Sequence, residues 1–452
     1  MDESRNTVIR KRSVFKGVKL SESKLTADKP IESLPLPEKI ILPLQQHIGA
    51  PCSSIVNRGD YVLTGQKVAD VGSFVSSPIH SSISGKVVSE VKIINPVTSN
   101  PVDALVIESD GEDKWIDLDS LINPQKEHKP SDLISLIDSL VPKDMITRIR
   151  EAGIVGLGGA TFPTHVKLSP PPGKKIDTFI LNGCECEPYI TSDHRIMLEY
   201  TLEVVLGAYI IGRILMPEKM FVAIEDNKED AIKEIDSFIK GTNLENKFQI
   251  VSLKSRYPMG AEKTLVKTIV GREVPIGGLP LDVGVVVNNV GTSKAVYEAV
   301  VEGKPLVEKV ITVTGAVNDP KNLTVRIGTP LRDLIDYCGG SDEKANTVIT
   351  GGPMMGISIS DIDFPVIKGT NCVLVKKGSP ASDENCIRCS RCVSVCPMNL
   401  MPLMFVRGVR SGMYEVCKEH YIEDCIECGC CAYVCPANIP IVSYIKVGKS
   451  KI

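Results

Sequence analysis

The chain carries Cys386-x2-Cys389-x2-Cys392-x3-Cys396-Pro397 and, further on, Cys425-x2-Cys428-x2-Cys431-x3-Cys435-Pro436. Three thiolates spaced in this way can hold three corners of an iron–sulfur cube, while the fourth, followed by Pro, ligates a second cube. The spacing therefore predicts two [4Fe–4S] clusters. On that pattern the first cluster is held by Cys386, Cys389, Cys392 and Cys435, and the second cluster by Cys425, Cys428, Cys431 and Cys396.

Zinc is the competing interpretation of these cysteines. A structural zinc ion usually takes two separated Cys or Cys/His pairs that close one tetrahedron, whereas here three cysteines fall within seven residues, twice over. This pattern has the spacing of bacterial ferredoxins and fits zinc poorly. Seven further cysteines are scattered and form no evident disulfide framework, which indicates a reducing cytosol. They are Cys52, Cys184, Cys186, Cys338, Cys372, Cys417 and Cys430.

Length and composition indicate an ordinary globular protein of several domains. The chain has 452 residues, of which 43% are hydrophobic and 24% charged, with a net charge of −3. A length of this order predicts about three domains. The near-neutral balance gives no electrostatic case for nucleic acid as a partner. The most apolar window, Tyr200 to Pro217, is broken by Glu203 and Arg213, so it predicts a buried helix and not a membrane span.

The N-terminal arm, residues 1–35, is basic and shows no apolar signal-peptide core. We expect a solvated, partly disordered tail. The alternative is a docking segment for a membrane surface or a partner. The basic residues in question are Arg5, Arg10, Arg12, Lys11, Lys16 and Lys19.

Residues 36–125 predict a barrel-sandwich domain. Short β-type runs alternate with turn residues from Ile40 to Ile107. The runs Arg58–Val68 and Ser77–Val87 resemble the two halves of a biotinyl/lipoyl-type domain. Because Asp70 to His80 contains no Lys, we expect a structural module without carrier function.

A glycine-rich segment, Gly153 to Lys167, follows an amphipathic helix that begins after Pro142. Such a density of glycines lets backbone N–H groups approach an anion or a flat ring, and Lys167 can serve as a phosphate partner. The spacing is not that of the dinucleotide fingerprint, so a plain flexible loop is the alternative. We call residues 153–167 the glycine loop.

Three predicted strands end in polar residues. Ile176–Leu181 leads into Asn182–Tyr189, Phe221–Glu225 leads into a helix, and Gly284–Val287 ends in Asn288-Asn289, with Thr292 expected to cap the next helix. In open α/β sheets ligands bind at the carboxyl ends of the strands. These strand ends therefore predict a binding site.

These segments are similar to those of a known family. Four segments resemble the flavin-site motifs of the NADH-oxidising flavoprotein of complex I: Gly156–Lys167, Asn182–Pro188, Tyr257–Glu262 and Asn288-Asn289. The order of domains resembles the C subunit of Rnf-type ferredoxin:NAD oxidoreductases over nearly the whole chain. The resemblance implies FMN and NAD(H) sites at Gly156, Gly158, Gly159, Phe162, Lys167, Asn182, Glu185, Glu187, Tyr257, Gly260, Glu262, Asn288 and Asn289. Of these, Phe162 would stack on NAD(H), and Glu185 and Glu187 would lie in the dinucleotide pocket.

The sequence departs from the complex I motifs at several positions. Leu157 replaces an Arg, Thr161 a Gly, Gly183-Cys184 an Ala-Asp pair, and Ala261 the first Glu of a pair. These changes affect the expected nucleotide affinity more than the expected fold. The two-cluster motif favours the Rnf-type family over complex I.

The predicted fold is multi-domain, α/β and α+β. After the arm and the barrel-sandwich domain we expect a Rossmann-like FMN/NAD(H) domain at 135–303 and a β-grasp (SLBB-like) domain at 304–375. A helical, ferredoxin-type domain with two clusters would occupy 376–445, since the segment between the cysteine motifs is long and helical in character.

The resemblance implies a peripheral electron-transfer subunit on the cytoplasmic face of a membrane ion-pumping complex. It would exchange hydride with NAD(H) at FMN, and single electrons with partner subunits and, indirectly, ferredoxin. A flavin can serve both one-electron and two-electron partners, so no acid–base residue is nominated as catalytic. The alternatives are a cobalamin reductase of a diol-degrading microcompartment and a non-enzymatic relay or docking subunit.

Overall fold

The computed structural model describes residues 8–96, 100–123, 125–378 and 384–452. Its strands are β1 (Val8–Lys11), β2 (Ile31–Ser33), β3 (Lys39–Pro43), β4 (Ser53–Ser54), β5 (Tyr61–Val62), β6 (Lys67–Asp70), β7 (Ile79–His80), β8 (Gly85–Ile94), β9 (Pro101–Ser109), β10 (Thr178–Gly183), β11 (Lys219–Glu225), β12 (Phe248–Leu253), β13 (Val285–Asn289), β14 (Glu308–Gly315), β15 (Lys321–Arg326), β16 (Ala345–Thr350), β17 (Ile357–Ile359) and β18 (Cys372–Lys377). Its α-helices are α1 (Pro130–Ser139), α2 (Pro142–Glu151), α3 (Thr164–Lys167), α4 (Ser192–Glu199), α5 (Thr201–Leu215), α6 (Glu229–Gly241), α7 (Glu262–Val270), α8 (Val290–Tyr297), α9 (Leu331–Tyr337), α10 (Arg391–Ser394), α11 (Pro402–Arg410), α12 (Tyr414–Glu419), α13 (Cys430–Tyr433) and α14 (Ile441–Lys449).

The barrel-sandwich prediction is confirmed by two small antiparallel sheets. One has the order β3-β9-β8-β5 and the other β4-β6-β7. The apolar side chains of Ile40, Leu42, Val87 and Ile107 are fully or almost fully buried. These strands alternate inward and outward side chains, and their buried side chains join the apolar core of the central domain in one continuous cluster.

The central domain is a doubly covered parallel sheet with the order β1-β12-β11-β10-β13. Helix α5 is buried along most of its length, which confirms the prediction for the apolar window at 200–217. The run Phe179–Leu181 in β10 is fully buried, as expected for a strand that is covered on both faces. Asn182 at the end of β10 is in register with Asn289 at the end of β13. The sheet thus gathers the carboxyl ends of these strands at one edge.

The β-grasp prediction is confirmed by a mixed sheet with the order β17-β16-β18-β14-β15-β2. Helix α9 packs on it through Leu331 and Leu334, which are fully buried. The C-terminal domain is helical, with α11 and α14 packed around Phe405 and Ile445. This confirms the predicted helical ferredoxin-type architecture.

The predicted disorder of the N-terminal arm is wrong for the residues from Val8 onward. Strand β1 extends the flavin-domain sheet by pairing in parallel with β12, and β2 extends the β-grasp sheet by pairing in parallel with β15. Between them, Val18 is buried and forms an isolated β-bridge with Tyr257. Both sheets offer unpaired strand edges, and the arm satisfies their backbone groups. Composition alone does not reveal such edges.

No helix within the described ranges is both long and apolar enough to cross a bilayer.

Candidate functional site

The glycine loop is closed at its base and open at its tip. Val155 forms a β-bridge with Pro163, and the Gly156 N–H donates to the Phe162 carbonyl at 2.9 Å. At the tip, Gly158 and Gly159 are exposed, and Gly159 has a φ of +115°, a conformation that side chains disfavour. The loop therefore presents bare backbone to a neighbouring group while its base is held rigidly.

The glycine loop lies directly against the start of α8. A Cβ placed on Gly158 would be 3.4 Å from the Asn289 Cβ. The Leu157 N–H donates to the Thr292 hydroxyl at 2.9 Å. The expected cap at Thr292 is wrong, because the Asn289 side chain accepts from the Gly291 and Thr292 N–H groups and caps α8. The Thr292 hydroxyl instead accepts the hydrogen bond from the Leu157 N–H of the glycine loop.

An ion pair and a hydrogen bond bring the remaining predicted flavin-site segments together. The Lys167 ammonium and the Glu262 carboxylate form an ion pair at 2.5 Å. The Asn182 Nδ2 donates to the Gly260 carbonyl at 2.9 Å. Four segments that are far apart in the sequence therefore meet at the carboxyl edge of the parallel sheet.

This site has features that fit a flavin. The Asn288 Nδ2 is buried and has no hydrogen-bond partner, although buried polar groups are normally paired. The tip of the glycine loop leaves room beside Gly159, since an added Cβ there would meet nothing within 4 Å. An unpaired buried donor near the end of β13 and the bare backbone at the loop tip are groups that suit a polar ring or a phosphate. The individual contacts of these residues with FMN stay a prediction.

Glu185 is placed at a helix start. Its buried carboxylate accepts from the Asp193 N–H at 2.8 Å and from the Ser192 hydroxyl at 3.2 Å, at the start of α4. An anion at that position is stabilised by the free N–H groups of the first turn. Asp193 in turn accepts from the Asn289 Nδ2 at 2.6 Å. Glu185 thus supports Asn289 indirectly, through Asp193. These contacts do not favour the predicted role of Glu185 in the dinucleotide pocket.

Glu187 points to the β-grasp domain. Its carboxylate accepts from the Met354 and Met355 N–H groups at 3.1 and 2.9 Å. The Tyr257 hydroxyl lies 3.5 Å from the same carboxylate. Burial raises the pKa of Glu187 to about 7. Its predicted place in the dinucleotide pocket is likewise not favoured by these contacts.

Tyr257 connects the predicted flavin site to the loop of the second cysteine motif. Its hydroxyl donates to the Cys428 carbonyl at 2.7 Å. A Cβ on Gly429 would be 2.7 Å from the Met354 carbonyl, so the cysteine loop packs tightly on the β-grasp domain as well. Lys263 on α7 forms an ion pair with Asp424, next to Cys425. The second cysteine motif is therefore fixed against the flavin domain.

The cysteines predicted for the second cluster converge. Cys396 from the first motif lines one cavity together with Cys425, Cys428 and Cys431 from the second. Of the residues predicted for the first cluster, Cys392 and Cys435 pack against the helical core, whereas Cys386 and Cys389 are exposed. The convergence of those four stays a prediction. The exposure places the first motif at the surface of the domain.

Zinc is the competing interpretation of the cysteine motifs. Across the described ranges, no three His, Cys, Asp or Glu side chains form a group that could hold one metal ion. A four-iron cube keeps its thiolates farther apart than a mononuclear tetrahedral ion does.

The structure also reveals residues that the sequence interpretation missed. Asp193 holds Asn289, and burial together with the nearby Glu185 raises the pKa of Asp193 to about 7. A cavity of about 100 Å³ is lined by Asp193, Asn289 and Lys309, the last of which lies in β14. Burial lowers the pKa of Lys309 to about 7. Lys24 in the arm contacts the loop after β10. None of these belongs to a motif, and only the packing of separate domains reveals them.

Fold and site together define a flavin and iron–sulfur electron-transfer protein, and family models agree with this class. The RnfC barrel sandwich hybrid domain matches residues 12–112 and the Nuo51 FMN-binding domain matches 149–298. The SLBB domain matches 310–358 and a 4Fe-4S dicluster domain matches 385–439. The domain boundaries given above remain predictions.

Related proteins identify the family. The C subunit of the proton-translocating ferredoxin:NAD(+) oxidoreductase complex of Clostridium ljungdahlii is 48% identical over 402 residues, which are 88% of this chain and 84% of that protein. The C subunit of the Na(+)-translocating complex of Acetobacterium woodii is 44% identical over 431 residues, 94% of each chain. The chain belongs to this family, the C subunits of the ion-translocating ferredoxin:NAD(+) oxidoreductases. It is therefore an electron-transfer subunit of a larger complex with several different subunits.

Among solved structures, an NAD+-reducing [NiFe]-hydrogenase in the H2-reduced state aligns with a TM-score of 0.46 and 17% identity, covering 72% of this chain and 58% of that one. This likeness is too weak to support an inference.

Proposed function

We propose that this chain is the subunit at which its complex exchanges electrons with NAD(H). The observation that carries the proposal is the contact between the two predicted centres, where Tyr257 of the flavin site donates to the Cys428 carbonyl. A bound flavin exchanges hydride with a nicotinamide and single electrons with iron–sulfur clusters. The protein supplies the positions of these groups.

The residues of the flavin site would act by binding and orientation. Exposed backbone at Gly158 and Gly159, the unpaired Nδ2 of Asn288 and the ammonium of Lys167 are the groups available to hold FMN. Phe162, half-buried on the same loop, is the side chain available to stack on NAD(H). No side chain needs to hold or move a proton for the hydride exchange.

The burial of the two cysteine sets supports an order of electron transfer. The second-cluster cysteines lie against the flavin domain, whereas Cys386 and Cys389 of the first cluster are exposed. Electrons would therefore pass between the flavin site and the second cluster, and between the first cluster and a partner subunit. We place the chain on the cytoplasmic face of the membrane, where NAD(H) and ferredoxin are found.

The test is anaerobic purification of the full chain, with iron, sulfide and flavin quantified before a titration with NADH. The proposal expects about eight irons and one FMN per chain, with flavin absorbance that NADH bleaches and clusters that then become reduced. Flavin that NADH cannot bleach would overturn it.

The same experiment separates the alternatives. Leu157 and Ala261 depart from the complex I motifs, so a relay without a nucleotide site is the second candidate. Such a relay would show clusters reducible by dithionite but no NADH:ferricyanide activity after loading with FMN. A cobalamin reductase would instead reduce cobalamin with NADH, and the two relatives described above do not support that interpretation.

A further inference from the structure

The N-terminal arm contacts the loop between β10 and α4, residues 184–190, which we call the acidic loop. The Lys24 ammonium donates to the carbonyls of Glu185 and Glu187 at 2.9 Å each and to that of Ile190 at 2.5 Å. In return, the Tyr189 N–H donates to the Glu22 carbonyl at 2.9 Å. One side chain from the arm thus gathers three carbonyls of one loop.

The acidic loop serves both predicted redox centres. On one side, Glu185 caps α4 and orders Asp193, which holds Asn289 against the glycine loop. On the other side, the Glu187 carboxylate binds the turn at Met354, on which the Cys428–Cys430 loop packs. A displacement of the acidic loop would therefore alter the flavin-site wall and the cluster contact together.

The geometry of these contacts suits a lysine. An ammonium has three donors, and here each finds one backbone carbonyl. Lys24 forms no direct ion pair within the described part of the chain, and its three hydrogen bonds all go to backbone carbonyls, so they fix the position of the loop backbone. The Glu185 carboxylate adds an electrostatic attraction to the same ammonium. Removal of the ammonium would leave three partly buried carbonyls without this donor.

The arm itself is anchored next to Lys24. The Thr26 and Thr191 hydroxyls are hydrogen-bonded at 2.5 Å, and the Asn322 Nδ2 of the β-grasp domain donates to the Thr26 carbonyl at 2.9 Å. These partners hold Lys24 in place before it binds the loop. The contacts of Lys24 and Thr26 therefore join the arm, the flavin domain and the β-grasp domain.

We propose that Lys24 is a positioning residue, which holds the acidic loop so that the flavin site and the second cluster keep the geometry needed for electron transfer between them. This inference rests on the proposed function. It assigns Lys24 no contact with substrate or cofactor. Its effect is exerted through the loop.

The experiment compares the full-length variants Lys24→Met and Lys24→Arg with Lys29→Met. Lys29 is a matched control because it lies in the same arm and pairs at the surface with Asp319. Each protein is purified anaerobically and assayed for iron, FMN and melting temperature. Stopped-flow absorbance then gives the rate of flavin reduction by NADH, and freeze-quench EPR gives the rate at which the clusters are reduced.

We expect Lys24→Met to keep its iron and to slow cluster reduction by roughly tenfold relative to flavin reduction, since small misplacements of reacting groups are costly. Lys24→Arg should recover part of the rate, and Lys29→Met should match the wild type. If Lys24→Met does not fold, the ratio of the two rates in Lys24→Arg decides. A ratio within twofold of the wild type in the folded variants would overturn the inference. Wild-type flavin that NADH cannot bleach would instead overturn the proposed function.

Discussion

Several buried side chains in and near the predicted flavin site each contact two or more separate segments of the chain. Asn289 caps α8, binds Asp193 and supports the glycine loop at once. Lys368 is fully buried, and its ammonium donates to the carbonyls of Pro78 and Gly153 at 2.7 Å each. Each of these residues joins segments from different parts of the chain. Substitutions there test position as well as chemistry.

Gly158→Ala tests whether the glycine loop holds its ligand by backbone. The new Cβ would lie 3.4 Å from the Asn289 Cβ, an ordinary contact, so the protein itself should tolerate it. We expect an unchanged melting temperature and an FMN affinity at least about tenfold lower, a loss of about 1.4 kcal/mol. The measurement is FMN fluorescence titration of the apoprotein. Gly241→Ala, whose new Cβ meets nothing within 4 Å, is the control, and equal affinity in both variants would contradict the backbone role.

Lys368→Met tests a pH effect. Burial lowers the pKa of Lys368 from 10.5 to about 7, so between these values the unfolded chain binds more protons than the folded one. Stability of the wild type relative to the variant should therefore rise with pH above 7, at most by about 1.4 kcal/mol per pH unit. Denaturant unfolding at pH 7, 8 and 9 measures this. If the free energy of unfolding changed with pH equally in the wild type and in Lys368→Met, the prediction would be contradicted. In the control variant Lys29→Met, the free energy of unfolding should change with pH as it does in the wild type.

At the level of elements, the two cysteine motifs are predicted to exchange one ligand each. Helix α10 follows the first motif's Cys389 and α13 follows the second motif's Cys428, and these short helices pack together. This packing brings Cys396 beside Cys425, Cys428 and Cys431. The pair of elements, and not either motif alone, therefore brings together the four cysteines predicted for the second cluster.

Cys396→Ser tests this exchange. Because Cys396 shares its cavity with the second motif, we expect the variant to lose the same EPR signal as Cys428→Ser and to keep the signal that Cys386→Ser removes. Anaerobic EPR of the three dithionite-reduced variants, with iron analysis, makes the comparison. Pairing of the Cys396→Ser spectrum with that of Cys386→Ser would show that each motif binds its own cluster.

Tyr257→Phe tests the contact between the flavin domain and the cysteine loop. It removes a hydrogen bond of 2.7 Å to the Cys428 carbonyl, at a cost of about 1 kcal/mol in stability. The lost O–H group donates to the carbonyl of a cysteine predicted to hold the second cluster, and hydrogen bonds around a cluster tune its potential, so we expect the reduction potential of that cluster to become more negative. An EPR-monitored redox titration measures the shift. Tyr61→Phe, at an exposed tyrosine in β5, should leave the potential unchanged, and so would Tyr257→Phe if the contact were unimportant.

At the scale of the whole molecule, the N-terminal arm joins domains that are distant in the sequence. It supplies the edge strand β1 to the flavin-domain sheet and β2 to the β-grasp sheet. Between these strands it carries Lys24 and the Val18 bridge. The arm therefore belongs to two cores and is not an appendage.

Deletion of residues 1–33 tests this role. It withdraws a strand from each sheet, so we expect the melting temperature to fall by at least about 5 °C, since each kcal/mol shifts a domain of this size by about 2–4 °C. Deletion of residues 1–16 removes β1 but keeps Lys24 and β2, and should retain more FMN. Calorimetry and flavin analysis measure both. Equal melting of the longer deletion and the full chain would show that the arm is dispensable.

Local sequence signals predict the cofactor chemistry and the order of the domains. Cysteine spacing predicts two clusters because iron–sulfur ligation requires those intervals, and glycine density predicts exposed backbone because only glycine leaves it bare. Strand ends carrying Asn182 and Asn289 indicate a site because parallel strands end at one edge. Each of these signals lies within a short stretch of residues, so it can be recognised in the sequence without knowledge of the tertiary structure.

Only the tertiary structure decided which side chains support the site. Glu185 and Glu187 read as pocket residues in the sequence, yet their carboxylates bind backbone N–H groups of α4 and of the turn at Met354. Lys24 reads as part of a solvated tail, yet it clamps the acidic loop. The reason is physical, because a charged side chain takes its role from the groups that packing places within about 3 Å of it, and that packing joins residues that the sequence keeps far apart.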